Sequence, residues 1–276
     1  VELTMALLKN DFEYIRKFAK DTAAIVIEPD REYFVEARVE PLLKSEGFHS
    51  IADLVQGMRT QSDLSQLHLN VIDSLTINET LFFRDVHPFE AIRTTLIPEM
   101  IARAAGRKLN IWSAASSTGQ EAHSVAMLFR ETSPAMGPSN VTIHGTDITE
   151  RVLIQAREGA YSQFEVNRGL PAPLLVRYFR QEGNRWILRD DVRDLARFER
   201  MNLSEPWKNL PLFDLILVRN VMIYFDVDTK RGILENMVRQ LQPGGGIILG
   251  SSETTLGICP SLQPHQLGRA TVYRPV

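Results

Sequence analysis

With 276 residues, 44% of them hydrophobic and 24% charged, the chain can bury one large core or a small one beside a medium one, and its composition is that of an ordinary soluble protein. The single cysteine, Cys259, excludes an internal disulfide and any cysteine-based metal cluster, and it fits a reducing cytoplasm. A formal net charge of −3 disfavours a nonspecific nucleic-acid binder, no signal peptide is evident, and the most apolar segment, 213–225, is broken by Arg219-Asn220 and too short to span a bilayer.

Residues 1–75 hold eight Lys and Arg against thirteen Asp and Glu, while the remainder is slightly basic, which suggests two units. This front unit shows only helical periodicity. Leu3, Leu7 and Leu8 lead into Phe12 and Ile15 for a first amphipathic helix, and Asp30 is placed to cap a second that carries Phe34, Val35, Val39 and Leu42. Segments 50–58 and 63–75 predict two more short helices. On the second helix Glu32, Glu36 and Glu40 form a stripe, and Arg31 and Arg38, seven residues apart, share a face. A small bundle with solvated charges accounts for these residues; the alternative makes Arg31 and Arg38 a docking surface for an acidic helical partner.

Residues 76–90 form a linker that is odd for its role. TINETLFFR (76–84) gathers Asn78, Glu79, Thr80 and Arg84 around Phe82-Phe83, where linkers are usually polar and featureless. It reads either as a segment folded over a pocket or as inter-domain packing with a surface ion pair. Segment 89–105 predicts a helix.

The body, 91–276, is organised around LNIWSAASSTGQEAHSVAMLFR (109–130). An apolar strand, a small polar turn at 116–119 and a helix with Ala122, Val125, Ala126 and Phe129 at helical spacing build one corner of a doubly wound α/β sheet, helix N–H groups facing the corner. Only Gly119 is present of the three-glycine dinucleotide fingerprint. Glu121 reads as a ligand or, with Thr118, as half of a capping box, and the two are compatible.

VTIHGTDI (141–148) is a second strand, ending in Asp147, which stands where a carboxylate meets a nucleoside ribose or, alternatively, caps the helix that follows. Segment 158–173 reads as loop. Segments 178–180, 186–188 and 195–198 predict a small antiparallel insertion at about 177–200, with Asn202 and Leu203 at the strand exit after it. FDLILVR (213–219) is the strongest strand and carries Arg219-Asn220 to its carboxyl end. A helix (229–241), a Pro-Gly-Gly-Gly turn (243–246), a strand (247–249) and one further strand suit a sheet closed by an antiparallel terminal hairpin.

NETLFFR (78–84), WSAASSTGQEAHSVAM (112–127), TDI (146–148), FDLILVRNVMIYFD (213–226) and LQPGGGIILGSSE (241–253) resemble, in order and spacing, the chemotaxis-receptor glutamate methyltransferases, the CheR family. The resemblance covers essentially the whole chain. It implies a Rossmann-like class I methyltransferase sheet with a small all-α N-terminal domain and an antiparallel β insertion. It also implies a cytoplasmic enzyme that transfers a methyl group from S-adenosylmethionine, leaving S-adenosylhomocysteine, to glutamates on the cytoplasmic helices of bacterial chemoreceptors, with a regulatory protein as a conceivable further partner. Carried over, Asn78, Thr80, Arg84, Glu121, Asp147, Asn202, Leu203, Arg219 and Asn220 would hold the cofactor, and Arg84 and Tyr224 would lie nearest the reacting centre. The sequence departs from the usual pattern at Ala115 (commonly glycine), Gln120, Ala122-His123 and Val218, and the turn of the insertion looks shorter than in members that recognise a tethering peptide at the receptor tail. Alanine at 115 is tolerable if its φ is negative, at some loss of cofactor binding.

A glutamate carboxylate is ionised at neutral pH and attacks a sulfonium methyl directly, so the reaction needs alignment and water exclusion rather than a general base, a metal or a covalent nucleophile. No Ser-His-Asp set or metal cluster stands out, and His87, His123 and His144 read as packing or surface residues. Arg84 suits either the cofactor's carboxylate or the substrate's. Tyr224 reads as a donor or wall of the transfer channel, or as a packed tyrosine. The acidity of the front unit stands against docking to acidic receptor helices. Competing readings are a methyltransferase of another substrate and a catalytically silent receptor-binding adaptor; a nicotinamide dehydrogenase is disfavoured by the missing glycines.

Overall fold

The computed structural model describes residues 7–61 and 64–276, so Leu3 and Asp63, read above into the first and fourth helices, lie outside the described residues. Two compact units divide the chain: the described residues up to Ile77 together with Tyr224–Asp226, and Asn78–Ile223 with Val227–Val276.

The first unit is built from α1 (Lys9–Ala23), α2 (Glu32–Glu46), α3 (Ile51–Thr60) and α4 (Gln66–Leu75). Phe12, Ile15, Val35, Val39, Leu54, Val71 and Leu75 are buried at helical spacing and form its core. Helix starts differ from expectation. α1 begins at Lys9, with Leu8 in the cap position, and α2 begins at Glu32 after Arg31, so Asp30 does not cap it. Ser50 does cap α3, its hydroxyl accepting the Asp53 N–H at 3.1 Å. Arg31 is exposed, whereas Arg38 is half-buried, with its guanidinium over the Phe34 ring and Nη1 3.4 Å from the Thr76 carbonyl oxygen.

The second unit runs through α5 (His87–Ala91), a π turn (Ile92–Leu96), α6 (Ile97–Ala104), β1 (Leu109–Ala114), α7 (Gln120–Thr132), β2 (Val141–Asp147), α8 (Glu150–Glu158) and β3 (Ala160–Ser162). It continues through α9 (Gln163–Val166), α10 (Ala172–Tyr178), β4 (Phe179–Glu182), β5 (Arg185–Leu188), α11 (Asp190–Arg193), β6 (Ala196–Arg200) and β7 (Phe213–Val218). α12 (Val227–Arg239), β8 (Leu241–Leu249), β9 (Leu262–Leu267) and β10 (Ala270–Pro275) complete it. Seven strands lie in the order β6-β2-β1-β7-β8-β10-β9. The first five are parallel and β10 is antiparallel to both its neighbours, the Rossmann-like methyltransferase arrangement with an antiparallel terminal hairpin.

Three local readings change. The segment expected as the third strand of the insertion, 195–198, instead supplies β6, which pairs parallel with β2 at the sheet edge. Its place in the small antiparallel sheet, ordered β3-β5-β4, is taken by Ala160–Ser162 from the stretch read as loop. Three residues are too few to show alternation, which is why the sequence hid this strand. The Pro-Gly-Gly-Gly stretch is not a turn but a bulge inside β8: a step of two residues on β7 is matched by five on β8. A Cβ on Gly245 would stand 2.9 Å from the Gln242 carbonyl oxygen and 3.0 Å from that of Phe213, so the close approach requires glycine.

His123 locks α7 onto α8. The imidazole is fully buried, Nε2 donates to the Ala156 carbonyl at 3.0 Å, and the ring lies edge-on to Phe198. Nδ1 is buried with no partner among the described residues, so the neutral tautomer fits and a second proton would be stranded. Burial pulls its pKa from 6.5 down to about 4, with Arg193 adding to the effect. Between those values the unfolded chain binds the extra proton and the fold does not. The contribution is therefore intact above about 6.5 and lost as the pH falls towards about 4, about 3 kcal/mol in all. Urea unfolding at pH 7, 5.5 and 4.5 should accordingly show a shallower loss of stability on acidification for His123→Met than for the parent, and parallel curves would discount this residue.

Candidate functional site

Chain order reverses between β1 and β7, so the loops leaving their carboxyl ends diverge and open a crevice, the usual ligand position in such sheets. Ala114 lies opposite both Thr146 and Val218, and Val218 lies opposite Leu249. Ala115, Asp147, Arg219 and Gly250 therefore leave the sheet at one level.

After β1 the backbone is left-handed at Ala115 (φ +57°), Ser117 (φ +51°) and Gly119 (φ +90°). The negative φ that would make Ala115 easily tolerated is not adopted; an alanine is held where glycine is cheaper. A Cβ on Gly119 would stand 2.8 Å from Ala156 Cβ, so α7 can start against α8 only from glycine. Thr118 and Glu121 do not form a capping box. The Thr118 hydroxyl donates to Gln120 Oε1 at 2.7 Å, and Glu121 is turned inward instead. Asp147 is buried: one carboxylate oxygen accepts the Ser117 N–H at 2.9 Å and the other the Thr149 N–H at 3.0 Å. Ser116 Oγ is buried next to Gly145 with no hydrogen-bond partner among the described residues.

Arg219 is the centre of a buried charge cluster. Its side chain is 1% exposed; Nη1 donates to Glu121 at 2.9 Å and Nη2 to Asp85 at 2.7 Å and to the Arg84 carbonyl at 2.8 Å. The guanidinium carbon lies 5.5 Å from the Phe89 ring centroid. The second oxygen of Glu121 accepts from Ser113 at 2.8 Å.

The segment from Asn78 is anchored by its aromatic pair. Phe82 is fully buried, edge-on to Tyr161 and Phe179 with centroids 5.0 and 5.7 Å away. The Phe83 N–H donates to Ser124 Oγ at 3.0 Å, and Ser117 Oγ donates to the Asn78 carbonyl at 2.7 Å. Phe83, Asp85 and Val86 are all left-handed, which turns the chain back sharply after the pair. Half-buried Arg84 donates to the Glu79 carbonyl at 3.0 Å, and Thr80 is half-buried two residues after Asn78.

The structure thus brings Asn78, Thr80, Arg84, Glu121, Asp147, Arg219 and Asn220 to neighbouring loops of one unit. The Met201 N–H donates to the Asp147 carbonyl at 2.8 Å, which sets half-buried Asn202 and buried Leu203 beside them. Arg31, Arg38 and Tyr224 belong to the first unit, where the Tyr224 carbonyl accepts the Val26 N–H at 2.9 Å. Sequence reasoning missed Ser113, Asp85, Phe89 and Glu253, all of which hold the predicted residues in place. Asp85 directly follows NETLFFR, and Glu253 ends another quoted block, so proximity to those motifs was the only available signal. Among the described residues no group of three or more His, Cys, Asp and Glu is arranged to hold a metal ion.

Comparison with known proteins matches residues 78–263 to the family described as CheR methyltransferase, SAM binding domain, and residues 10–76 to CheR methyltransferase, all-alpha domain. The chain is 36% identical to chemotaxis protein methyltransferase 1 of Pseudomonas aeruginosa over 274 residues, 98% of this chain and 99% of that one. It is 34% identical to chemotaxis protein methyltransferase Cher2 of Pseudomonas putida, covering 96% and 97% of the two chains. It is 35% identical to the chemotaxis protein methyltransferase of Vibrio anguillarum, covering 98% of each.

Gly169 faces the anchored segment: at φ +84°, a Cβ there would come within 2.0 Å of the Phe82 carbonyl oxygen. Gly169→Ala should cost at least about 2 kcal/mol and speed amide exchange at Phe83. Denaturant unfolding combined with hydrogen-exchange mass spectrometry checks both, and unchanged exchange over 78–86 would separate Gly169 from the strap.

Proposed function

The chain belongs to the CheR methyltransferase family, and on that premise we propose that it methylates glutamate side chains on the cytoplasmic helices of chemotaxis receptors, working in the cytoplasm with S-adenosylmethionine as methyl donor. The observation that carries this reading is the gathering of Asn78, Thr80, Arg84, Glu121, Asp147, Arg219 and Asn220 around the carboxyl ends of β1, β2 and β7. The names of the chemotaxis relatives support the substrate class. No helix among the described residues is long and apolar enough to cross a membrane.

The residues present fit the cofactor. Asp147 stands at the carboxyl end of β2 with its carboxylate on the Ser117 and Thr149 amides, the position in which an acidic side chain meets the ribose in such sheets, and the nearby Ser116 hydroxyl is buried without a hydrogen-bond partner among the described residues. Leu203 offers an apolar contact for an adenine, while the Asn202 side chain is bonded to Ser204 and Glu205 and would have to exchange one of those bonds to meet it. Arg84 spends one N–H on Glu79 out of the five a guanidinium carries, which leaves donors for a carboxylate.

When bound, S-adenosylmethionine supplies a methyl group on a positively charged sulfur. The rest of the task falls to the chain. A receptor glutamate is ionised at neutral pH, so no residue here has to remove its proton. Arg84 orients a carboxylate by paired charge-assisted hydrogen bonds; too tight a grip on the substrate would lower its nucleophilicity, so its role is positioning. Phe82 and Phe83 pin the strap that carries Arg84, which lets the strap exclude water. Tyr224 is proposed as a wall or donor near the reacting centre.

Incubation with receptor cytoplasmic fragments and methyl-labelled S-adenosylmethionine should give a label released as methanol by mild alkali, the signature of a carboxyl ester; an alkali-stable label, or none, would overturn the reading. Asp147→Ala should weaken S-adenosylmethionine binding roughly ten- to a hundredfold by calorimetry, the loss expected for a charged acceptor. Arg31→Glu should lower receptor methylation while cofactor affinity holds. It is a cleaner test of docking than Arg38→Glu, because Arg38 already packs on Phe34 and Thr76. Unimpaired methylation would move docking to another face.

A further inference from the structure

The parallel pairing of β7 with β8 ends at Val218 and Leu249. Beyond that point the two chains part, and the amides of Asn220, Met222 and Gly250 lose any strand to bond to. All three converge on one side chain. Glu253 Oε2 accepts the Asn220 N–H at 2.8 Å and the Gly250 N–H at 2.7 Å, and Oε1 accepts the Met222 N–H at 2.7 Å. Among the described residues three N–H donors bond this carboxylate, so the site suits a carboxylate: a glutamine would turn its own N–H donors toward one of them.

The loop held in this way is strained. Asn220 is left-handed, with φ +59°. A Cβ on Gly250 would fall 2.7 Å from Glu253 Oε2 and 2.9 Å from both nitrogens of Asn220, so the absence of a side chain at 250 is what lets the carboxylate and the asparagine meet. The same backbone carries Arg219 into its buried cluster one residue earlier.

We propose that Glu253 is a positioning residue: its carboxylate caps the open end of the β7–β8 ladder and holds Asn220 in the left-handed conformation that presents its side chain to the nucleoside. The inference rests on the reading of Asn220 as part of the cofactor site. It assigns Glu253 no contact with the cofactor itself.

The test compares the parent with Glu253→Gln, Glu253→Asp, Asn220→Gly and the Glu253→Gln/Asn220→Gly double variant. Glycine at 220 removes the side chain while keeping a left-handed backbone cheap. Two readouts are taken on the full chain: calorimetric affinity for S-adenosylhomocysteine, and amide exchange at Asn220, Met222 and Gly250 without ligand, with Ser117 as internal reference. Glu253→Gln should weaken S-adenosylhomocysteine about tenfold or more and speed exchange at the three amides while Ser117 is unmoved. Asn220→Gly should weaken binding comparably, and the double variant should be no worse than the poorer single one. Glu253→Asp keeps the charge on a shorter arm and should fall between parent and Glu253→Gln; it replaces that variant should Glu253→Gln not fold. Additive losses in the double variant, or exchange at the three amides unchanged in a variant lacking Glu253, would overturn the proposal. A parent that fails to bind S-adenosylhomocysteine would overturn the cofactor reading and, with it, the proposed purpose of the clamp, while the exchange data would still report on the clamp.

Discussion

A guanidinium with 1% of its side chain exposed cannot stand alone in a protein interior, and the arrangement of the second unit follows from how Arg219 is compensated. Its partners come from two distant stretches: Glu121, 98 residues before it, and Asp85, 134 residues before it, with the Arg84 carbonyl as a third acceptor. The cluster thus ties the carboxyl end of β7 to the start of α7 and to the strap bearing Asn78 and Arg84. Breaking such a group from one side leaves a buried charge uncompensated, at a cost of about 3–5 kcal/mol. Arg219 then serves the crevice by holding its walls together, and Glu121, committed to Ser113 and Arg219, does likewise.

Strain is concentrated in the same place. Phe83, Asp85, Val86, Ala115, Ser117 and Asn220 are all left-handed without being glycine, and they lie on just three loops around the crevice. Conformations of this kind persist only where neighbouring interactions overdetermine them. Two carboxylates do much of that work by the same means. Asp147 gathers the Ser117 and Thr149 amides past the end of β2, and Glu253 gathers those of Asn220, Met222 and Gly250 past the ends of β7 and β8. Each replaces the ladder bonds that a strand loses where it leaves the sheet.

Much of the architecture is legible in residue order alone. The apolar runs at 109–115 and 213–218 are of the kind that forms buried strands, and Arg219-Asn220 and Asp147 at the carboxyl ends of strands point to a crevice. The readings that changed share one physical cause: they depended on a partner distant in sequence. Residues 195–198 look the same whether they pair within a hairpin or with β2. Ala160–Ser162 is too short to announce itself, and Pro243-Gly-Gly-Gly246 reads as a turn until the neighbouring strand shows it to be a bulge.

What the sequence by itself determined is the class of fold, the family, and which side chains reach one end of the sheet, because hydrophobic period and motif spacing are local properties of the chain. What only the tertiary structure decided is how those side chains are employed. Thr118 and Glu121 satisfy a capping pattern on paper, yet Glu121 turns inward because a buried arginine nearly a hundred residues away demands a counter-charge. Asp85 and Glu253 acquire their roles for the same reason: compensation of a charge or an amide is settled between groups that meet only once the chain has folded.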